Sequence, residues 1–554
     1  MRGTLGRWRG GAAYLALCGA ITALVYAAIL ARLPLERVYT TPLLNLNHIK
    51  ASDWPTGATV IACVALLFAA YAIGALVLAR ESWDVHGAVN APSIPSLKPL
   101  VAMALLGFPL VFAALLIFTH PMTSTDVYDY LFRGRMLARY EANPFVDIPW
   151  KFRGDPLIRY VAWKLAVTAY GPLWEGMSWA TARLAGEAPG RSGAQLLTLM
   201  LAYKGLAALG FLLCGGAIWL ALRGAAPKWR WLGLYLWLWN PLALWETVGA
   251  GHNDVWMALC IVLAIAALGR RHEAIGDRQI DHYLSPIAER LSPLAALLAL
   301  TAGGLIKYVA FFFGPVALAA ALRRMAGWRA RLGLFVAGGL SCAGLVTLAY
   351  APFWAGWSTL ENVRDRRDLY TASWLGVLRV VLKRSMPEDR AATIVAAAGL
   401  ALLFAGVLWA CWRAWRDPAR LAEIMLWLAL WFLLLCNPWF QPWYVVWPLA
   451  LVVVQPWRAR AVVAVAVLCV AALVGYVVGG LALPALGMAD KSLGREAWMA
   501  ALVTVPPLLV LGWPHVTAGW RALRRTSPRR AASGTRRAAG GERRAARSEG
   551  TQRG

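Results

Sequence analysis

Long apolar stretches alternate with short polar breaks from near the N-terminus to about residue 516. Few stretches carry a charge, and most approach the roughly 20 residues that a bilayer-crossing helix needs. The pattern predicts helices near 11–33, 57–79, 98–118, 195–222, 231–248, 254–270, 291–306, 308–322, 332–350, 391–411, 421–436, 443–455, 461–483 and 498–516. That is an all-α polytopic bundle of about 14 (12–14) transmembrane helices, the short pair around Lys307 being the least sharply bounded. Two stretches, about 119–194 and 352–390, break the alternation and read as long loops, and a shorter one runs from Thr40 to Pro55. The expected domains are a polytopic unit over 1–518 and a basic, disordered tail over 519–554.

Composition narrows the class. Of 554 residues, 60% are hydrophobic and 15% charged, with mean hydropathy +0.56. These values exclude a disordered chain, a coiled coil and an ordinary cytosolic enzyme. A net charge of +27 would suggest nucleic acid in a soluble protein. Here the arginine-rich tail from Arg521 to Gly554 and the short loops account for it, so the expected partner is the bilayer and not nucleic acid.

The loop arginines and lysines also set an orientation. With the N-terminus inside, one side receives Arg223, Lys228 and Arg230; Arg270, Arg271 and Arg278; Arg323, Arg324, Arg329 and Arg331; Arg413, Arg416 and Arg420; and Arg458 and Arg460. The expectation is a multi-pass cell-membrane protein with both termini cytoplasmic and the two long loops outside. Met1–Gly10 is basic and precedes an apolar run with no A-x-A cleavage site, so it reads as leading into a retained span. All eight cysteines lie in apolar runs without CxxC spacing and read as packing residues.

Ionisable residues inside spans are costly and usually functional. Lys204, Glu246, His252, Asp254 and Lys307 all fall toward the outer ends of their helices. A transporter would place such groups near the midplane. A one-sided cluster points to binding or chemistry at the outer surface; the plainer alternative is that each is a snorkelling or paired helix-end residue.

The loop after the third span carries the densest chemistry. It runs His120-Pro121-Met122-Thr123-Ser124-Thr125-Asp126-Val127-Tyr128-Asp129-Tyr130-Leu131-Phe132-Arg133-Gly134-Arg135. Ser124 or Thr125 suits a helix cap, and Asp126 lies in the first turn, where the helix dipole favours an anion. At 100° per residue, Asp126, Asp129 and Arg133 share a face, while Arg135 and Arg139 point the other way. This presents two carboxylates together. A capped helix with an Asp129–Arg133 pair would need the same residues.

Further breaks follow in order: Asn143-Pro144-Phe145, Tyr170-Gly171-Pro172-Leu173-Trp174, Asn240-Pro241-Leu242, Gly249-Ala250-Gly251-His252-Asn253-Asp254, Leu305-Ile306-Lys307-Tyr308 and Asn437-Pro438-Trp439-Phe440-Gln441-Pro442-Trp443-Tyr444. The set resembles the integral-membrane glycosyltransferases of the GT-C superfamily. It is most similar to the bacterial polyprenyl-phosphomannose-dependent alpha-(1,6)-mannosyltransferases.

The resemblance implies transfer of a sugar, mannose, from a polyprenyl-phosphate-linked donor to a hydroxyl of a glycan or glycolipid acceptor at the outer face. The sequence offers Asp126 as general base, with Asp129 beside it, and the resemblance points to the same residue; direct displacement would invert the anomeric carbon. Chemistry then nominates Arg133, Arg135, Lys307 and Arg364 (with Arg366 and Arg367) for the phosphate. Trp439, Trp443 and Tyr444 are candidate sugar platforms, and His252, Asn253, Asp254 and Gln441 candidate polar contacts. The only co-substrate expected is the lipid-linked sugar. A divalent cation stays open, because Asp126, Asp129, His252 and Asp254 would suit magnesium or manganese if they gathered. Two rival readings use much of the same sequence. A glycolipid carrier would not need the paired aspartates, and a ligase taking a diphosphate-linked donor would use Arg364-Asp365-Arg366-Arg367.

Overall fold

Proline, glycine and asparagine decide where the helices of this chain stop, and the stops build the functional end of the molecule. A computed structural model describes residues 2–39, 54–80, 99–186, 192–269, 285–363 and 369–513. The helices run in order α1 (Arg2–Arg32), α2 (Trp54–Arg80), α3 (Pro99–Ile117), α4 (Asp126–Tyr140), α5 (Pro172–Ala185), α6 (Ser192–Ala221), α7 (Pro227–Leu238) and the single turn α8 (Pro241–Ala243). Next come α9 (Asp254–Leu268), α10 (Ser285–Ile306), α11 (Phe313–Arg324), α12 (Trp328–Tyr350) and α13 (Trp374–Leu382). The last are α14 (Glu388–Arg416), α15 (Leu421–Trp431), α16 (Val446–Val453), α17 (Ala459–Val477), the turn α18 (Leu483–Ala485) and α19 (Leu493–Gly512).

Among the described residues nine helical segments are long and apolar enough to cross a membrane, and three shorter apolar helices accompany them. This is a multi-pass membrane protein. Nine is fewer than the count expected from hydropathy, because several predicted spans are short or broken. The stretch predicted over 231–248 is interrupted at Asn240-Pro241. Pro241 has no N–H to continue the ladder, and Asn240 Oδ1 instead accepts the Ala243 N–H at 3.0 Å. A π-helical turn, Leu244–Gly249, follows and carries Glu246. Similar turns at Phe432–Cys436 and Val478–Ala482 interrupt two later runs.

Side chains facing away from the bundle are apolar, as a bilayer requires. Leu340 and Phe335 on α12 and Leu400 and Phe404 on α14 are more than half exposed. The stretches expected as long loops are partly helical: they hold α4, α5 and α13. The loop Thr40–Pro55 lies almost wholly outside the described residues, as do Arg270, Arg271, Arg278, Arg364, Arg366, Arg367 and the tail over 519–554.

Two apolar cores result. The larger fills the bundle; the smaller lies where α4 packs on α5 and α6, through Val127, Tyr128, Leu131, Trp174, Leu196 and Tyr203. Gly134 permits that approach, since a Cβ there would collide with the Tyr203 hydroxyl and the Ser178 carbonyl. Across the length of α6, ~45 Å by helical rise, lie the short basic turns. There Arg223 donates to the Ala266 carbonyl, Arg324 to the Leu268 and Pro418 carbonyls, and Arg458 to Glu423. These described basic turns therefore form one physical end of the bundle, and α4 packs at the other end of α6.

Candidate active site

Asp126 opens α4. Its N–H donates to Ser124 Oγ at 3.1 Å, whereas Thr125, at the N-cap position, makes no side-chain cap. Its Oδ2 accepts from the Tyr170 hydroxyl at 3.2 Å, and that hydroxyl lies 3.1 Å from the Tyr130 hydroxyl. Tyr170 is held in turn by Gly171, whose N–H donates to the Ile306 carbonyl at 3.1 Å. Only glycine fits there, because a Cβ would strike the Leu305 carbonyl. The Tyr170-Gly171-Pro172 break thus clamps the start of α5 to the end of α10. The side chain of Asp126 keeps 14% exposure, so its carboxylate has an open edge. Burial first, and then the charge of Asp129, push this carboxyl above its usual range; Lys307 and the bonds from Ser124 and Tyr170 pull it back only in part.

Asp129 has a different fate. Arg133 Nε donates to its Oδ2 at 2.9 Å, one turn on, and both side chains are almost fully buried. Arg133 Nη2 also donates to the Ala166 carbonyl at 3.0 Å. Arg135 faces away and donates to Asp155 at 2.7 Å. Arg133 and Arg135, both nominated for phosphate, are therefore engaged inside the cap. Glu175 on α5 lies near this pair, and burial raises its carboxyl to about 7 despite the nearby Arg133 charge and a bond from Thr168.

The membrane side of the site comes from the broken spans. Glu246, on the π turn, accepts from Thr123 Oγ1 at 3.0 Å and from the Tyr476 hydroxyl at 3.1 Å. His252 follows in a turn where Gly251 adopts φ +79°, a left-handed conformation. Its ring lies flat on Trp443, with centroids 4.1 Å apart and planes 18° apart. His252 Nε2 is 3.6 Å from Glu246 and Nδ1 is 4.0 Å from Asp126. Asn253 is buried with its side-chain oxygen and nitrogen both unpaired. Asp254 receives Lys307 Nζ on both oxygens at 2.8 Å and Trp447 Nε1 at 2.7 Å. The Lys307 ammonium also lies 4.7 Å from the ring centre of Tyr444 and 5.8 Å from that of Tyr170. Lys204, buried beneath, donates to the Thr119 carbonyl.

So five ionisable residues from four stretches of sequence do gather at the capped end, and Asp126 joins them from α4. Trp443 and Tyr444 line the same cluster. Trp439 sits farther out against Trp163 and Tyr444. Gln441 faces a cleft of about 630 Å³ bounded by Tyr476, Gly479, Asp490 and Arg495. Arg364 lies outside the described residues. The gathering left open for a divalent cation is not seen among the described residues: Asp129 is paired with Arg133 and Asp254 with Lys307. Among the described residues no three carboxylate, imidazole or thiol groups form a metal-holding group.

Tyr170, Thr123, Tyr476 and Trp447 were not nominated from sequence, and Glu246 was noted only as an intramembrane charge. Tyr170 had a signal, its place in a Gly-Pro break beside the aspartate loop. Tyr476 had none beyond a single hydroxyl in an apolar run. Chemically, the cluster offers a buried carboxylate with one open edge, a lysine ammonium and flat aromatic faces. Such a set suits a hydroxylated ligand that carries an anion.

Residues 12–323, more than half of the chain, match a family model described as "Alpha-(1->6)-mannopyranosyltransferase, N-terminal domain". Residues 370–504 match one described as "MptB C-terminal domain". Asp126, Glu246, His252 and Lys307 fall in the first match, and Trp443, Tyr444 and Tyr476 in the second. A curated protein of Corynebacterium glutamicum, "Alpha-(1->6)-mannopyranosyltransferase A", is 31% identical over 172 residues. That alignment covers 30% of this chain and 31% of the relative. No solved structure gives a significant match.

Proposed function

The chain belongs to the alpha-(1->6)-mannopyranosyltransferase family, and from that premise we propose that it moves mannose from a polyprenyl-phosphate donor onto a hydroxyl of a glycan or glycolipid acceptor. The observation that carries this reading is Asp126, a carboxyl raised by burial yet open at one edge, held at a helix start by the Tyr170 and Ser124 hydroxyls. A carboxylate so placed is a stronger base than an exposed one, and a transferase needs that group to take the acceptor proton. Lys307 supplies the cation for the departing phosphate, and Trp443 and Tyr444 supply faces for the sugar. Direct attack of the acceptor oxygen breaks the bond from the anomeric carbon to the phosphate oxygen. The electron pair leaves with the phosphate, and a β-linked donor gives an α-linked product.

The test is purified protein with radiolabelled polyprenyl-phosphate-mannose and a panel of mannosides. Label should appear in a longer α-mannoside. Transfer from a nucleotide sugar instead, or none from the lipid donor, overturns the donor assignment.

The same reading places α4 outside the cell, opposite the basic turns. Leu165, in the stretch between α4 and α5, is 74% exposed. A Leu165→Cys variant should react with a membrane-impermeant maleimide in intact cells. Labelling only after lysis reverses the orientation.

A further inference from the structure

We propose that His252 and Glu246 act as a pair behind Asp126: the imidazole receives the proton that Asp126 takes from the acceptor, and Glu246 holds the resulting imidazolium. The proposal rests on the reading of Asp126 as base. Its observation is a ring with carboxylates at both ends. His252 is fully buried, and neither ring nitrogen has a hydrogen-bond partner. Asp126 Oδ2 stands 4.0 Å from Nδ1, and Glu246 Oε2 stands 3.6 Å from Nε2. Leaving two buried ring nitrogens unpaired is costly, and an aromatic filler against Trp443 would avoid that cost. A second carboxylate would be worse company still for a merely apolar ring. What gains from two flanking carboxylates is a ring that carries a proton for part of a cycle.

The surroundings fix this geometry. The His252 N–H donates to the Glu246 carbonyl at 3.2 Å, so ring and carboxylate ride on one turn. Thr123 and Tyr476 both donate to Glu246 and hold its carboxyl 3.6 Å from the ring. The other charges facing the ring are cations already matched or held: Lys307 on Asp254, and Lys204, under Gly251, on the Thr119 carbonyl. The proton balance is simple. The acceptor O–H gives its proton to Asp126 Oδ2, and Asp126 gives it to Nδ1, while Nε2–H donates to Glu246. When product leaves, the proton returns through the open edge of Asp126 to water, and all three groups are reset.

Glu246→Gln, His252→Gln and their double variant test the pair in the full-length protein, beside Asp126→Asn. Each Gln variant should lower kcat about tenfold or more with both KM values unchanged, and the double should lose no more than the worse single. Removing the Glu246 charge makes the neighbourhood less anionic, so the acid limb of the kcat–pH profile should move to lower pH. Losses that multiply in the double, or a lowered melting temperature with normal kcat, overturn the pair. An active Asp126→Asn removes the base reading itself, whereas an inactive one beside normal His252 and Glu246 variants removes only the pair. Where the Gln variants fail to fold, Tyr476→Phe deletes a single donor to Glu246. A lowered kcat with a shifted acid limb then supports the pair, and an unchanged profile overturns it.

Discussion

Asp126→Asn is expected to lower turnover by about 10²–10⁴-fold, the range that a positioned base contributes, with fold and donor binding retained. Asparagine keeps the shape, and its amide oxygen still accepts from Tyr170. The Asp126 N–H still reaches Ser124 Oγ. Only the proton acceptor is lost. Because burial and Asp129 raise the carboxyl of Asp126, the wild-type activity should fall on acidification through a limb above the ordinary carboxylate range. Above that limb the base is free. Asp129→Asn should behave differently, because Asp129 neutralises the buried guanidinium of Arg133. Removing one partner of a buried pair costs about 3–5 kcal/mol, so its main effect should be a lower melting temperature. Turnover and melting of both purified variants decide the matter. A folded, inactive Asp129→Asn beside an active Asp126→Asn would exchange the two roles.

The contrast shows what the sequence carries and what it lacks. Helical phase alone put Asp126, Asp129 and Arg133 on one face, and i,i+4 spacing alone identified the Asp129–Arg133 pair. The basic turns were legible because charge at a bilayer surface follows topology rather than packing. Partners distant along the chain were not. Arg135 looked like a phosphate contact until Asp155, 20 residues on, took it. Hydropathy records how apolar a run is and says nothing of which single hydroxyl it points inward, so Tyr476 was invisible. The π turn that carries Glu246 depends on how Asn240-Pro241 breaks the ladder before it. The spacing 246, 252, 254 suggested one helix end. It gave no sign that Glu246 would be held by Thr123 and Tyr476, and Asp254 by Trp447 and Lys307.

That second partnership leads to the other large expected effect. Lys307→Met should cost about 3–5 kcal/mol, since it leaves the buried carboxylate of Asp254 with no matching charge, held by the Trp447 N–H and its own backbone N–H. Folded proteins hold a margin of about 5–15 kcal/mol, so the melting temperature should drop sharply and any kinetic defect in the single variant is ambiguous. Asp254→Asn/Lys307→Met removes both charges together. Replacing a whole buried pair by neutral groups is often tolerated, so melting should recover. Kinetics of the double variant then isolate what the ammonium does for the substrate. If Lys307 meets the leaving phosphate, KM for the lipid donor stays raised in a stable protein while KM for the acceptor does not. If Lys307 only anchors Asp254, the double variant turns over normally. A single variant that melts like the wild type would show that the 2.8 Å contacts are not what holds α9 to the end of α10. Lys307 would then be left to the substrate alone.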